Sequence, residues 1–116
     1  MKVIVAGSRK ILDYGVVAAA IKRSGFDISE IVSGGAEGVD QLGELYALEN
    51  NIPKRRYLPD YKKYGKKAPI MRNCKMGDYA DALIAIWDGS SKGTKHMMDY
   101  MQKKNKKCHL VVIPVC

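Results

Sequence analysis

Apolar residues along the chain follow two rhythms. Lys2–Ala6 (KVIVA) and Ala82–Trp87 (ALIAIW) are short, largely apolar runs, and Ile28–Ser33, stopped by Gly34-Gly35, reads as a further strand between them. The two apolar runs mark strands buried on both faces. Between them, apolar positions recur three and four residues apart. Tyr14, Val17 and Ile21 predict a helix that Asp13 caps and Gly25 ends. Val39, Leu42, Leu45 and Tyr46 predict a second helix, reaching about Asn50. Lys54–Tyr57, bracketed by Pro53 and Pro59, reads as a short third strand. A loop follows, and Pro69 then opens a helix that runs to about Tyr79. Thr94, Met97, Met98 and Met101 fall at i, i+3, i+4 and i+7, the stripe of a last helix. Leu110–Val115 closes the chain as a fifth strand.

Strand and helix therefore alternate, which predicts an α/β fold. The expectation is a single Rossmann-like three-layer domain over residues 1–116, its parallel sheet in the order 3-2-1-4-5. The length suits one domain. No apolar run approaches the ~20 residues that a bilayer requires, so no membrane partner is expected. The opening MKVIVAGSRK turns polar too soon for a signal peptide. Cys74, Cys108 and Cys116 are odd in number, far apart and without a CxxC pair. They read as reduced thiols of a cytoplasmic protein, neither a disulfide frame nor a zinc site. His96 and His109 have no partners at metal spacing, and neither metal nor cofactor is expected.

Charge adds a partner class. Twenty Lys+Arg against 12 Asp+Glu give a formal net charge of +8. Lys54, Arg55, Arg56, Lys62, Lys63, Lys66 and Lys67 crowd one stretch, opposed only by Asp60 and interleaved with Tyr57, Tyr61 and Tyr64. Cations beside aromatic rings suit phosphates and unstacked bases. A second group, Lys103, Lys104, Lys106 and Lys107, falls where the last helix should end and complements its macrodipole.

Three strand ends carry unusual loops: Gly7-Ser8-Arg9, then Ser33-Gly34-Gly35-Ala36-Glu37-Gly38-Val39-Asp40, then Asp88-Gly89-Ser90-Ser91-Lys92-Gly93-Thr94. In the expected strand order these three loops converge, at the place where parallel sheets bind ligands. Glycines admit a ligand close to the backbone, and both later loops run into helix starts, which favour phosphate. The established phosphate motifs are nevertheless absent. Gly89–Thr94 lacks P-loop spacing, and Ser33 stands where GxGxxG has its first glycine.

The segments VIVAGSR, IVSGGAEGVD, MRNCKM and ADALIAIWDGSSKGT together resemble the SLOG superfamily. That group joins the Smf/DprA proteins to the Lonely Guy (LOG) phosphoribohydrolases, and the small YspA/YpsA-related members, found in bacteria and phages, are most similar. The resemblance spans Val3 to about Met98. It implies a Rossmann-like domain whose Gly-rich loops bind nucleotides or nucleotide-derived molecules. LOG enzymes cleave N-glycosidic bonds of nucleoside monophosphates with an Arg and a Glu. Arg72 matches the Arg, but counting three beyond Thr94 places Met97 at the Glu position. A thioether is neither acid nor base.

The resemblance and the loops therefore favour binding, for sensing or sequestration, with no catalytic residue assigned. The expected ligand contacts are Gly7, Ser8, Arg9, Gly34, Gly35, Ala36, Glu37, Gly38, Asp40, Arg72, Asn73, Asp88, Gly89, Ser90, Ser91, Lys92, Gly93 and Thr94. Two alternatives stay open. A LOG-type glycosidase would use Arg72 with Asp40 or Glu37. Single-stranded nucleic-acid binding of the DprA type would use the positive charge. LOG proteins are dimers, and methionines adapt to partners. Met71, Met76, Met97, Met98 and Met101 accordingly suggest a homodimer or a higher even-numbered oligomer.

Overall fold

The computed structural model describes residues 1–114. Five parallel strands form one sheet in the order β3-β2-β1-β4-β5: β1 Lys2–Gly7, β2 Glu30–Ser33, β3 Lys54–Arg56, β4 Ala82–Trp87 and β5 Lys107–Val112. Successive β1 side chains point to opposite faces, as the pleat requires. Val3 and Val5 join Val17, Ile21, Ile31 and Ile84 under α1 (Tyr14–Arg23) and α2 (Val39–Glu49). Ile4 and Ala6 join Val32, Met76, Leu83 and Met97 under α4 (Ala68–Tyr79) and α5 (Lys92–Lys103). The fold is the expected Rossmann-like α/β layering. Strand order reverses between β1 and β4, so their carboxyl ends open a crevice.

Four expectations need correction. The second strand starts at Glu30 rather than Ile28, because β1 offers no partner before Lys2, which pairs with Glu30. Ile28 packs against the core instead. The fifth strand begins at Lys107 rather than Leu110: it matches β4 residue for residue, from Ala82↔Lys107 to Trp87↔Val112. Val115 and Cys116 lie outside the described residues. The expected loop after β3 contains α3 (Tyr61–Tyr64) and a 3-10 turn over Gly65–Lys67. Asp60 starts that helix by accepting from the Lys63 amide at 3.2 Å.

The fourth correction concerns the late lysines. Lys103 closes α5, but Lys106 Nζ donates to the carbonyls of Gly77, Asp78 and Ala80. It completes the end of α4, the neighbouring helix, not its own. Met76, Met97 and Met101 are buried between these helices and the sheet, so their packing is already satisfied within the chain. No helix among the described residues is long and apolar enough to cross a membrane.

Candidate functional site

The crevice is built outward from β1. A Cβ on Gly7 would lie 2.0 Å from the Ile86 carbonyl oxygen, so only glycine lets β1 end this close to β4. The ladder runs one residue further, with the Ser8 amide donating to Ile86 at 3.1 Å. Ser8 is buried, and its hydroxyl donates to Asp88 Oδ2 at 2.8 Å. Asp88 Oδ1 accepts from the Ser90 and Ser91 amides at 2.9 and 2.8 Å. Hydrogen bonds from the Ser90 amide, the Ser8 hydroxyl and the Ser91 amide pull the Asp88 carboxyl down to about 2. Asp88 thus ties the loop after β1 to the loop after β4. Ser91 caps α5 by accepting from the Thr94 amide, leaving the amides of Lys92 and Gly93 without acceptors among the described residues.

The second loop meets the first through α2. Val39 donates its amide to the Ser8 carbonyl at 3.4 Å, and a Cβ on Gly38 would strike that same oxygen at 2.6 Å. Within the loop, Gly35 donates to Ser33 Oγ and Ala36 to Asp40 Oδ2, at 3.1 and 3.3 Å. These amides are therefore engaged inside the protein. Asp40 is only 6% exposed. Burial pushes its carboxyl up to about 6, against the amide hydrogen bonds from Ala36 and Gly7 and the charge of Arg72.

Helix α4 runs back across the sheet, laying its first turns over the crevice. Arg72 donates from Nη1 to the Gly34 carbonyl at 2.7 Å and from Nε to Asn73 Oδ1 at 3.0 Å. Asn73 is buried and donates to the Gly93 carbonyl at 3.3 Å, fixing α4 against the start of α5. Gly34 is wedged between two functional groups: its Cβ would stand 2.6 Å from Arg72 Nη1 and 2.9 Å from Asp40 Oδ2.

Together these elements enclose a cavity of about 400 Å³. Of the expected contacts, Gly7, Ser8, Arg9, Ala36, Asp40, Arg72, Asn73, Asp88, Ser90, Ser91, Gly93 and Thr94 line it. Gly34, Gly35, Glu37, Gly38, Gly89 and Lys92 are not in its wall. Gly34 and Gly38 sit behind the wall as packing positions, and Glu37 is exposed. The wall also holds Ala6, Lys10, Pro69, Ile70, Met76 and Met97. Pro69, Arg72, Asn73 and Met76 stand at i, i+3, i+4 and i+7 of α4, a spacing that marks one helix face. Met97 is both core and wall.

Residues 1–64, from β1 through α3, match the family described as the YspA, cpYpsA-related SLOG family. The chain belongs to that family. The chain is similar to the Gene 61 protein of Mycobacterium phage D29, 31% identical over 112 residues spanning 88% of this chain and 89% of the phage protein. No solved structure matches the chain. Family membership supports a nucleotide-related role for the chain in general terms, binding or LOG-like. Arg72 and the loop after β4 lie beyond the matched segment.

A second polar cluster, absent from the sequence reading, braces the far edge of the second loop. Glu44 is buried and accepts from Ser33 Oγ at 2.7 Å, Lys54 Nζ at 3.2 Å and Arg56 Nε at 3.1 Å, with Arg56 Nη2 completing a fork. Burial alone would raise this carboxyl, but the hydrogen bonds from Arg56, Ser33 and Lys54 hold it below its ordinary value.

Proposed function

We propose that the crevice binds a nucleotide or nucleotide-derived signalling molecule, as a sensing or sequestering domain. The observation that carries this reading is the convergence of Arg9, Lys10 and Arg72 with the start of α5 in one cavity. The free amide of Gly93, with the Ser90 and Thr94 hydroxyls in the same wall, suits a phosphate. Pro69, Ile70, Met76 and Met97 offer an apolar wall for base and sugar. Calorimetry against linear and cyclic nucleotides and ADP-ribose-type molecules tests it, alongside mass spectrometry of whatever the purified protein releases on heating. Absence of any binding tighter than millimolar across that panel would reject the reading.

One observation favours a second reading, N-glycosidic hydrolysis. Asp40, buried in the cavity wall near Arg72, is a carboxyl that exchanges its proton close to neutral pH. It would stand in for the carboxylate that Met97 replaces. Free base released from nucleoside monophosphates, followed by mass spectrometry, supports this; unchanged substrate after long incubation retires it.

The homo-oligomer expected from the sequence passes to different residues. Leu58, 65% exposed beside Gly35, and Ile70, 47% exposed on the cavity wall, would pack against a second copy. Sedimentation at micromolar protein decides between monomer and dimer.

A further inference from the structure

We propose that a second surface, running along β3, α3 and the outer side of α4, binds single-stranded nucleic acid. The basic stretch that begins at Lys54 divides into two parts. Lys54 and Arg56 are consumed by Glu44. Arg55, Lys63, Lys66, Lys67 and Lys75 make no salt bridge among the described residues, although the Glu30 carboxylate, held by the Tyr79 hydroxyl, acts on Arg55. Strand register explains the division. Lys54 and Arg56 pair with Ile31 and Ser33, on the α2 face of the sheet, whereas Arg55 pairs with Val32, on the α4 face.

On that α4 face, cations and rings alternate. The Arg55 guanidinium lies 4.9 Å from the Tyr79 ring centre and 5.6 Å from that of Tyr57, and Lys2 Nζ lies 4.3 Å from Tyr79. Tyr57 and Tyr79 are themselves 5.9 Å apart. Further along α4, Lys63 and Lys75 flank Tyr64 at 5.2 and 5.5 Å. Twelve residues of α4 span about 18 Å, the length of a few nucleotides.

A single strand supplies what this row is built to hold: a phosphate for each cation and an unstacked base face for each ring. A duplex supplies the phosphates but keeps its base faces stacked. The row begins beside Lys2 and Tyr79, at the amino ends of the strands, whereas the crevice lies at their carboxyl ends. None of Lys2, Arg55, Tyr57, Lys63, Tyr64, Lys75 and Tyr79 lines the crevice, so the two surfaces accept ligands independently.

Fluorescence anisotropy of a labelled oligothymidylate, over a salt series and against a duplex of equal length, tests the proposal. Single-strand affinity should exceed duplex affinity and fall with salt by a log–log slope of about −0.7 per phosphate neutralised. Lys63→Glu combined with Lys75→Glu should weaken it at least ~10-fold at low salt, and Tyr64→Ala by about 10-fold with an unchanged salt slope. Nucleotide binding in the crevice should be unaffected by all three substitutions, and saturating mononucleotide should not displace the oligonucleotide. Three results would each overturn it: wild-type affinity in the double variant, equal affinity for duplex with Tyr64→Ala silent, or displacement by mononucleotide. Equally tight binding to vesicles of anionic phospholipid would likewise show plain charge attraction and reject it.

Discussion

Arg72 Nη1 rests on the Gly34 carbonyl at 2.7 Å, joining a helix after the third strand to a loop after the second. The guanidinium is held by the protein before any ligand arrives, with its second bond to Asn73 completing the grip. Arg72→Ala should therefore do two things at once. It should lower ligand affinity and also cost about 1.5–3 kcal/mol of stability through the lost charged hydrogen bonds. Chemical denaturation with calorimetry separates the two effects. A variant as stable as wild type would show that the Gly34 contact contributes nothing.

The neighbouring glycines should behave differently. Gly34→Ala drives a methyl group into Arg72 and Asp40, so it should weaken ligand binding as strongly as Arg72→Ala. Gly35 has φ +74 and faces Leu58 and Arg56, outside the cavity wall. Gly35→Ala should cost about 1–2 kcal/mol of backbone strain yet leave affinity nearly unchanged. Titrations of the two variants under identical conditions check this contrast.

Asp40 should make stability fall as pH rises. Its carboxyl shifts from 3.8 unfolded to about 6 folded, so between those values the folded chain holds more protons than the unfolded one. Below pH 3.8 both states are protonated and the site is unstrained; above about 6 both are ionised and the full cost of roughly 3 kcal/mol is felt. Asp40→Asn removes the titration. The stability difference between variant and wild type should grow in the variant's favour from pH 4 to pH 7, read by urea unfolding at each pH; a flat difference would place the Asp40 carboxyl at its ordinary value.

Asp88 works in the opposite sense. Its depressed carboxyl favours the folded state above 3.8, and that contribution is lost as pH falls towards about 2. Asp88→Asn should lower the melting temperature at neutral pH and flatten the wild-type decline in acid. Ligand affinity should fall too, because Ser8 and the start of α5 lose their common anchor.

Much of this architecture can be read from residues alone, and the failures share one cause. β1 and β4 are legible because a central strand of a parallel sheet must be apolar on both faces. The start of β5 is not, because Lys107, Cys108 and His109 lie on an edge strand whose pairing is set by β4 rather than by their own polarity. Ser8, Arg9 and Asp40 were locatable as loop residues at strand ends, and Arg72 from its motif. Pro69, Ile70 and Met76 were not, because their place in the wall depends on how α4 lies across the sheet. Gly34 and Gly38 looked like a phosphate cradle from spacing. Their neighbours are Arg72, Asp40 and the Ser8 carbonyl, so protein atoms fill the space that the spacing left open.

The cavity wall draws on stretches of chain from Ala6 to Met97, and no two adjacent elements suffice to make it. Any local opening that exposes one stretch also dismantles the site, so a bound molecule holds the domain closed as a single cooperative unit. At a hundred times its dissociation constant, such a molecule adds about 2.7 kcal/mol to unfolding, which for a chain this size is a rise of roughly 10 °C or more in melting temperature. A melting curve recorded across a metabolite library can therefore find the occupant with no assay for what the protein does.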